Sequence, residues 1–254
     1  MKKLVFTILS ICISAIATAQ TMHTLIFVNE SEPKREIDRT ADSRNMQRFF
    51  TDIARNLNYR NNLRSHTGSE FTTTYINREI ENLNVNNNDV VVFYYSGHGA
   101  NFKNDKWPTL DLLDKAYWSS QILAKLNAKC DKAKLVLFIT DCCNSYINHN
   151  ITPTSSFNPI DENNVAKLFT GFKGKKKVIV TAAKPGQASL SDLRLGALFG
   201  IAFRQAVKEN ISNDVSNPTW DKVLSDARRI TLAFSRGQHE PQYSVEQSAD
   251  PFDD

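Results

Sequence analysis

The sequence has few cysteines and little excess charge, and these shortages exclude several classes of protein. It has only four cysteines in 254 residues, and their spacing matches no paired zinc-ligand pattern. The formal net charge is +4, without the concentrated basic patch that nucleic-acid binding needs. Beyond the N-terminal segment, no apolar run is long enough to span a bilayer. The sequence therefore predicts a protein that holds no metal ion, binds no nucleic acid and does not cross a membrane.

The first 19 residues are typical of a secretory signal peptide. A basic start precedes an apolar core over residues 4–16, and Ala17-Thr18-Ala19 is a small-residue cleavage pattern. Cleavage there would remove two lysines, which lowers the net charge from +4 to +2 and leaves 235 residues. A lipoprotein anchored at Cys12 is the alternative, disfavoured by the bulky Ile11 before it. We therefore predict a secreted or periplasmic protein with one domain over residues 20–254.

Three cysteines remain after cleavage, namely Cys130, Cys142 and Cys143. An odd number in an exported protein indicates a free and reactive thiol rather than a disulfide framework.

Alternating apolar segments predict an α/β fold. The expected strands cover residues 24–28, 62–66, 90–99, 135–143 and 178–183, and the expected helices cover 41–58, 72–83, 117–126, 197–208 and 220–234. We expect residues 147–177 to form a flexible linker loop and residues 245–254 a loose tail. This order predicts a single domain built on a mostly parallel sheet, with helices on both faces.

Two of the expected strands end in residues of the kind used in catalysis. One ends at Gly97-His98-Gly99 and the other at Asp141-Cys142-Cys143. In open α/β sheets, chemistry collects beyond the carboxyl ends of the strands. A histidine beside a cysteine can generate the reactive thiolate. His98 and Cys143 are therefore the candidate catalytic pair, and the amides of Gly99 and Cys143 are candidate donors to a developing oxyanion.

Each of these residues also has a purely structural interpretation. His98 is equally consistent with an ordinary glycine-rich turn, because flanking glycines let the backbone turn sharply. Cys143 would then be buried as a small apolar residue, which is our expectation for Cys142. Strand alternation predicts opposite faces for these two cysteines, with Asp141 on the face of Cys143. Asp141 would either cap the following segment or pair with a cationic substrate side chain.

Together these motifs resemble those of caspase-like cysteine peptidases, and in particular the metacaspase and bacterial caspase-family branch. The resemblance rests on Tyr-Ser-Gly-His-Gly at 95–99 and Asp-Cys-Cys-Asn-Ser at 141–145. The histidine precedes the cysteine by 45 residues, close to the roughly fifty of caspases. The segments 42–46, 182–203 and 238–244 also resemble flanking parts of the family, so the likeness covers nearly the whole mature chain.

The resemblance implies a caspase-like fold and a Cys/His dyad peptidase. Cys143 would attack the scissile carbonyl, and His98 would shuttle protons and protonate the leaving amine. The amides of Gly99 and Cys143 would hold the oxyanion.

The resemblance also implies a substrate class. Asp141 matches the aspartate that lines the first specificity pocket of metacaspases, and Asp42 and Ser96 match positions near it. We therefore expect cleavage of peptides or proteins after Arg or Lys. No cofactor is implied; calcium activation, as in some metacaspases, would have only Asp105, Asp111 and Asp114 as nearby candidates.

The sequence departs from the family pattern and leaves alternatives open. The familiar Asp-Ser-Cys-His-Ser-Gly string is here Asp-Cys-Cys-Asn-Ser-Tyr at 141–146, which spares the dyad but alters the surroundings of the pocket. One alternative is a catalytically silent caspase-like module that binds a peptide or partner, and another is a clostripain- or gingipain-like enzyme. Self-cleavage at Lys167 or in the lysine-rich segment 173–177 is a further hypothesis, and no motif specifies an oligomeric state.

Overall fold

The architecture comes from a computed structural model that describes residues 19–30, 36–101, 106–146, 158–192 and 194–248. The side chains of residues 36–38 and 143–146 lie outside this description. Residues 1–18 of the predicted signal peptide and residues 249–254 of the predicted tail also lie outside it.

The described residues form ten strands and six helices. The strands are β1 Thr21–Val28, β2 Arg60–His66, β3 Val90–Ala100, β4 Thr109–Asp111, β5 Ala116–Trp118, β6 Leu135–Tyr146, β7 Lys175–Thr181, β8 Ser189–Asp192, β9 Gly196–Ala197 and β10 Gln242–Ser248. The helices are α1 Glu36–Asn56, α2 Thr73–Glu81, α3 Ser119–Lys129, α4 Glu162–Phe169, α5 Leu198–Asn210 and α6 Trp220–Phe234.

Six strands form the central sheet in the order β10-β7-β6-β3-β1-β2. All neighbours in it are parallel except β10, which runs antiparallel to β7. The middle strands β3 and β6 carry the continuous apolar runs, and residues 90–95 of β3 are fully buried. Apolar side chains on both faces of a strand require cover on both sides. The prediction of a mostly parallel sheet is therefore confirmed.

Helices cover both faces of this sheet, as predicted. Helices α1, α4, α5 and α6 pack on one face, where Phe50 and Trp220 lie in the larger core cluster. Helices α2 and α3 pack on the other face, where Ile76 and Leu126 lie in a second cluster. In the described part of the chain, no helix combines the length and apolar character needed to cross a membrane.

The segment 147–177, expected to be a loop, contains regular structure, so the loop prediction is wrong in part. Residues 162–169 form α4, whose buried side chains include Val165 and Phe169, and Asp161 caps it by accepting a hydrogen bond from the Asn163 amide at 2.8 Å. An eight-residue helix shows too little periodicity to stand out in a polar segment. Residues 147–157 lie outside the described residues.

The basic side chains proposed for self-cleavage lie in or beside regular elements. Lys167 lies in α4. Lys175 and Lys177 lie in β7, which begins at Lys175. A peptidase cleft takes its substrate in an extended, accessible form, so cleavage at these three positions would require local unfolding.

The expected loose tail is also partly ordered, because residues 242–248 form β10. Five of its seven side chains are polar, and only Tyr243 and Val245 pack, half-buried, against the larger core cluster. This alternation is too short to mark a strand in the sequence. An edge strand needs only backbone pairing with its neighbour, here β7. The prediction of a loose tail is therefore wrong for residues 245–248.

The sequence also missed the hairpin formed by β4 and β5. The third helix begins at Ser119, so the predicted start at Tyr117 is wrong, and Tyr117 lies in β5. The hairpin matters for function because β4 pairs with the end of β3, where His98 lies opposite Asp111.

Candidate active site

The two candidate catalytic residues lie at the same edge of the sheet. Strands β3 and β6 are adjacent and parallel, and the last pair in their ladder is Gly97 with Cys142. His98 and Cys143 are the next residues of these two strands. The backbone therefore brings the predicted dyad to neighbouring strand ends, while the thiol of Cys143 itself lies outside the described residues.

The two strands exchange neighbours at this point. Beyond Gly97, β3 continues by pairing with β4, whereas β6 continues by pairing with β8, so that Cys143 lies opposite Ser189. The β6–β8 register then shifts between Cys143 and Ser145. Because two parallel strands that stop pairing must separate, a cleft opens beside the predicted nucleophile.

Two cavities flank the end of β3. One of about 330 Å³ is lined by residues that include Gly99, Thr140 and Cys142. The other, of about 410 Å³, is lined by residues that include His98 and Asp111. Gly99 and Ala100 contribute to both, so open space lies on either side of the segment that follows His98.

Close packing explains the glycines on both sides of His98. A Cβ added at Gly97 would lie 2.4 Å from the Tyr95 hydroxyl oxygen, and one at Gly99 would lie 2.8 Å from Cys142 Sγ. Side chains at either position would therefore push the strand end out of place. Cys142 packs in part against the second core cluster, while Asp141 is fully buried. The expectation that Cys142 packs as a small apolar residue is therefore confirmed in part, because this half-buried side chain also lines the first cavity.

Tyr95 fixes the position of the strand end that carries His98. Its buried hydroxyl lies 2.5 Å from the His98 carbonyl oxygen and 2.8 Å from the Asp111 carbonyl oxygen. The hydroxyl has one proton to donate, so the two carbonyls share it. This contact ties the backbone of His98 to the β4–β5 hairpin. The His98 ring is half-buried.

The three residues expected to recognise a basic substrate come together from three elements. The hydroxyl of Ser96 in β3 donates to Oδ2 of Asp42 in α1 at 2.9 Å. The other oxygen of Asp42 accepts a hydrogen bond from the Ala197 amide at 2.8 Å. Asp141 in β6 pairs in register with Ser96. We refer to Asp42, Ser96 and Asp141 as the acid cluster.

Asp141 in β6 is a buried carboxyl group that faces the first turn of α5. It is 0 % exposed. No side chain among the described residues donates a hydrogen bond to it, and the backbone amide of Gly200 faces it as a donor. A Cβ on Gly200 would lie 2.9 Å from Oδ2, so a glycine in the first turn of α5 lets the helix approach this oxygen. Burial and the nearby charge of Asp42 raise the pKa of Asp141 well above its usual range, although Arg39 and the Gly200 amide oppose the shift.

Two arginines that the sequence analysis missed lie beside the acid cluster. Arg39 in α1 is 1 % exposed and donates from Nη1 to Ser96 Oγ at 3.0 Å. Burial raises the pKa of Asp42, and the charge of Arg39 opposes that shift most strongly. Burial also lowers the pKa of Arg204 in α5, and the nearby carboxyl groups of Asp42 and Asp141 oppose that shift.

Sequence signals for both arginines exist. Arg39 precedes Asp42 by three residues, which places the two on one helix face. Arg204 directly follows residues 198–203, the first half of α5, none of which has a polar side chain. A charged residue in such a position indicates a buried partner of opposite charge.

The acid cluster is closed in this conformation. Asp42 is 1 % exposed, and Ser96 and Asp141 are both 0 % exposed. Neither cavity beside His98 includes any of the three among its lining residues. The structure therefore brings the predicted specificity residues together beside the strand ends but buries them.

Two of the three acidic residues considered for calcium lie among the described residues. Asp114 accepts hydrogen bonds from the Thr73 amide at 2.9 Å and the Thr73 hydroxyl at 2.5 Å, at the start of α2. Asp111 is exposed on β4, and Asp105 lies outside the described residues. Among the described residues, no three His, Cys, Asp or Glu side chains are grouped to hold a metal ion. Calcium activation stays a prediction.

Comparison with known proteins identifies the family. A family model described as "Caspase domain" matches residues 24–252. A crystal structure of a protein from Geobacter sulfurreducens is similar, with a TM-score of 0.55 at 13% identity over 91% of this chain and 95% of that one. Caspase-1 from Spodoptera frugiperda is similar too, with a TM-score of 0.51 at 13% identity over 90% of this chain and 87% of that one. No curated protein matches the sequence. These structural likenesses establish a shared fold, and the family match over most of the chain shows that this protein belongs to the caspase-domain family, whose members act on protein substrates.

Proposed function

We propose that this protein is a secreted cysteine endopeptidase that cleaves after Arg or Lys. The observation that carries the proposal is the placement of His98 and Cys143 at the ends of adjacent parallel strands, in a chain with a caspase domain. Thiol nucleophiles need a base within reach, and neighbouring strand ends provide one.

The chemistry would follow the dyad order. His98 takes the proton from the Cys143 thiol, and the thiolate forms a bond to the scissile carbonyl carbon. The amides of Gly99 and Cys143 donate to the oxyanion. As the C–N bond breaks, His98 returns the proton to the leaving amine, and water then hydrolyses the thioester and restores the thiol.

The preference for basic residues rests on the acid cluster. It places two carboxyl groups and one hydroxyl beside the β3 and β6 ends. A buried carboxylate to which no side chain donates among the described residues, as at Asp141, gains from a cation that can donate to it. An arginine or lysine side chain supplies both the charge and the donors.

A panel of fluorogenic peptides that differ only in the residue before the cleaved bond tests this proposal. We expect release from the Arg and Lys peptides to exceed release from the Asp and Leu peptides by at least about 100-fold, since an acidic or apolar side chain beside buried carboxyl groups is strongly disfavoured. Assays with and without calcium test calcium activation in the same panel. Absence of cysteine-dependent release from every peptide would instead favour the silent binding module.

The predicted export has its own test. Expressed with residues 1–19 in a bacterium, the chain is expected to leave the cytoplasm and begin at Gln20, because the segment has the pattern that signal peptidase recognises. Intact-mass measurement of the exported protein gives the N-terminus. A chain that starts at Gln20 from the outset is the control and is expected to stay inside. Recovery of the full-length chain with residues 1–19 attached, only in the cytoplasm, would contradict the prediction.

A further inference from the structure

The acid cluster already holds a guanidinium from its own chain. Arg39 Nη1 donates to Ser96 Oγ at 3.0 Å, and the same hydroxyl donates to Asp42 Oδ2 at 2.9 Å. The hydroxyl of Ser96 therefore links the guanidinium of Arg39 to the carboxylate of Asp42. The charge of the guanidinium also acts on both Asp42 and Asp141. Arg39 thus stands where a basic substrate side chain is expected to be recognised.

Arg39 is held there against two unfavourable effects. It is 1 % exposed, and removal of a cation from water carries a large desolvation cost. It also lies in the first turn of α1, which begins at Glu36, where the helix dipole disfavours positive charge. The carboxyl groups of the acid cluster must offset both effects. The position of Arg39 is therefore favourable only while no other cation competes for these carboxyl groups.

We infer that Arg39 is an internal occupant of the acid cluster, and that a basic substrate side chain must displace its guanidinium to bind there. The inference rests on the proposed function, because it specifies how the same site is regulated. It accounts for a specificity site that is complete in its residues yet closed in this conformation. Activity toward basic substrates is then restrained until the rest of a peptide is held well enough to complete the exchange.

The position of Arg39 makes it the part of the site best able to move. Asp141 and Ser96 belong to the two middle strands of the sheet, which are paired on both sides. Arg39 reaches the cluster through a long, flexible side chain from a helix end, where intrahelical hydrogen bonds are fewest. Arg204 comes from the interior of α5 and would stay in place during the exchange.

Binding of a small guanidinium compound tests the inference without relying on turnover. Agmatine is titrated by calorimetry into protein that carries Cys143→Ala, with and without Arg39→Gln. We expect Arg39→Gln to bind agmatine at least about tenfold more tightly, because removal of a unit charge a few ångströms away is worth more than that at the effective dielectric of a protein site. Arg44→Gln is the matched control, since Arg44 is an exposed arginine on the same helix, and it should bind like the parent.

Kinetics provide the second readout. With Cys143 restored, Arg39→Gln is expected to raise kcat/KM for the Arg peptide about tenfold, mainly through a lower KM, because the change acts on binding of the side chain. Cleavage of the Leu peptide should stay unchanged. The inference would be overturned if a folded Arg39→Gln protein bound agmatine no more tightly than Arg44→Gln does. It would also be overturned if the parent protein cleaved after Asp and Arg39→Gln had lost that cleavage.

Two further outcomes keep this inference separate from the proposed function. Tighter agmatine binding by Arg39→Gln in a protein without any cysteine-dependent turnover would support the inference and reject the peptidase. If Arg39→Gln fails to fold, Arg39→Met fills a similar volume without charge and takes its place. Failure of both variants to fold, judged by circular dichroism, would show that the guanidinium is a structural element and would overturn the inference.

Discussion

Replacement of Cys143 with alanine is expected to reduce peptide hydrolysis by at least about four orders of magnitude, because loss of a nucleophile leaves only binding and oxyanion contacts. His98→Ala is expected to cause a loss of similar size, since the thiolate then has no base to generate it. The double variant should be no slower than either single variant, because two residues that act as a unit are not additive. Initial rates on the Arg peptide measure all three.

The adjacent cysteine provides a matched control for this experiment. Cys142 lies one residue earlier on β6, packs against Gly99 and lines one of the two cavities. Cys142→Ala removes one sulfur from a half-buried position, at a cost of about 1 kcal/mol in the free energy of unfolding. We expect it to keep most of its activity. Loss of activity in Cys142→Ala together with retention in Cys143→Ala would assign the nucleophile to the other thiol and contradict the proposed dyad.

Asp141→Asn is expected to weaken the preference for basic residues and to stabilise the fold at the same time. Removal of the buried charge should lower kcat/KM for the Arg peptide about 100-fold, because a charged hydrogen bond to the substrate becomes a neutral one. Cleavage of the Leu peptide should change little. No side chain among the described residues donates to Asp141, and the oxygen of an asparagine can still accept from the Gly200 amide. The variant therefore avoids the cost of a buried charge without losing a hydrogen bond.

The stabilising effect has a defined pH dependence. The pKa of Asp141 is raised in the folded state, so the folded protein binds this proton up to a higher pH than the unfolded chain does. The free energy of unfolding of the parent therefore falls as pH rises from the ordinary carboxyl range to the folded-state pKa. Asp141→Asn lacks this loss. The difference in free energy of unfolding between the variant and the parent therefore increases over that pH range and is constant above it. We expect about 1 to 3 kcal/mol at neutral pH.

Thermal unfolding across pH measures this advantage. In a domain of this size, each kcal/mol corresponds to about 2 to 4 °C in Tm. Asp52→Asn is the control, because Asp52 lies on the surface of α1 in an exposed pair with Arg55 and such pairs contribute little. A lower Tm for Asp141→Asn at neutral pH would mean that the carboxylate stabilises the closed acid cluster.

Much of the fold was predictable because burial leaves a strong pattern in the sequence. The runs 90–95 and 135–139 are continuous apolar segments, and the structure buries them in the middle of the sheet. Helix α6 begins at Trp220 and ends at Phe234, as its periodicity predicted. Elements without such a pattern were missed. Strand β10 has no buried face, α4 is only eight residues long, and the β4–β5 hairpin has three residues in each strand.

The candidate site also has some features that the sequence predicted and others that it did not. The positions of His98 and Cys143 followed from sequence alone, because strands that pair in parallel deliver their carboxyl ends to one edge. The convergence of Asp42, Ser96 and Asp141 was implied by family resemblance and depends on contacts between residues up to 99 positions apart in the sequence. Tyr95 carries no signal for its role, because its two acceptors belong to different strands.

The sequence by itself determined the buried strands and five of the six helices, and the edge of the sheet at which the backbones of His98 and Cys143 lie, because hydrophobic periodicity is a local property of the chain. Only the tertiary structure decided the charge balance of the acid cluster. Arg39 and Arg204 reach it from two separate helices, and no local pattern shows which buried cation will face which carboxylate. Burial then determines how strongly these charges interact, because the effective dielectric falls as water is excluded.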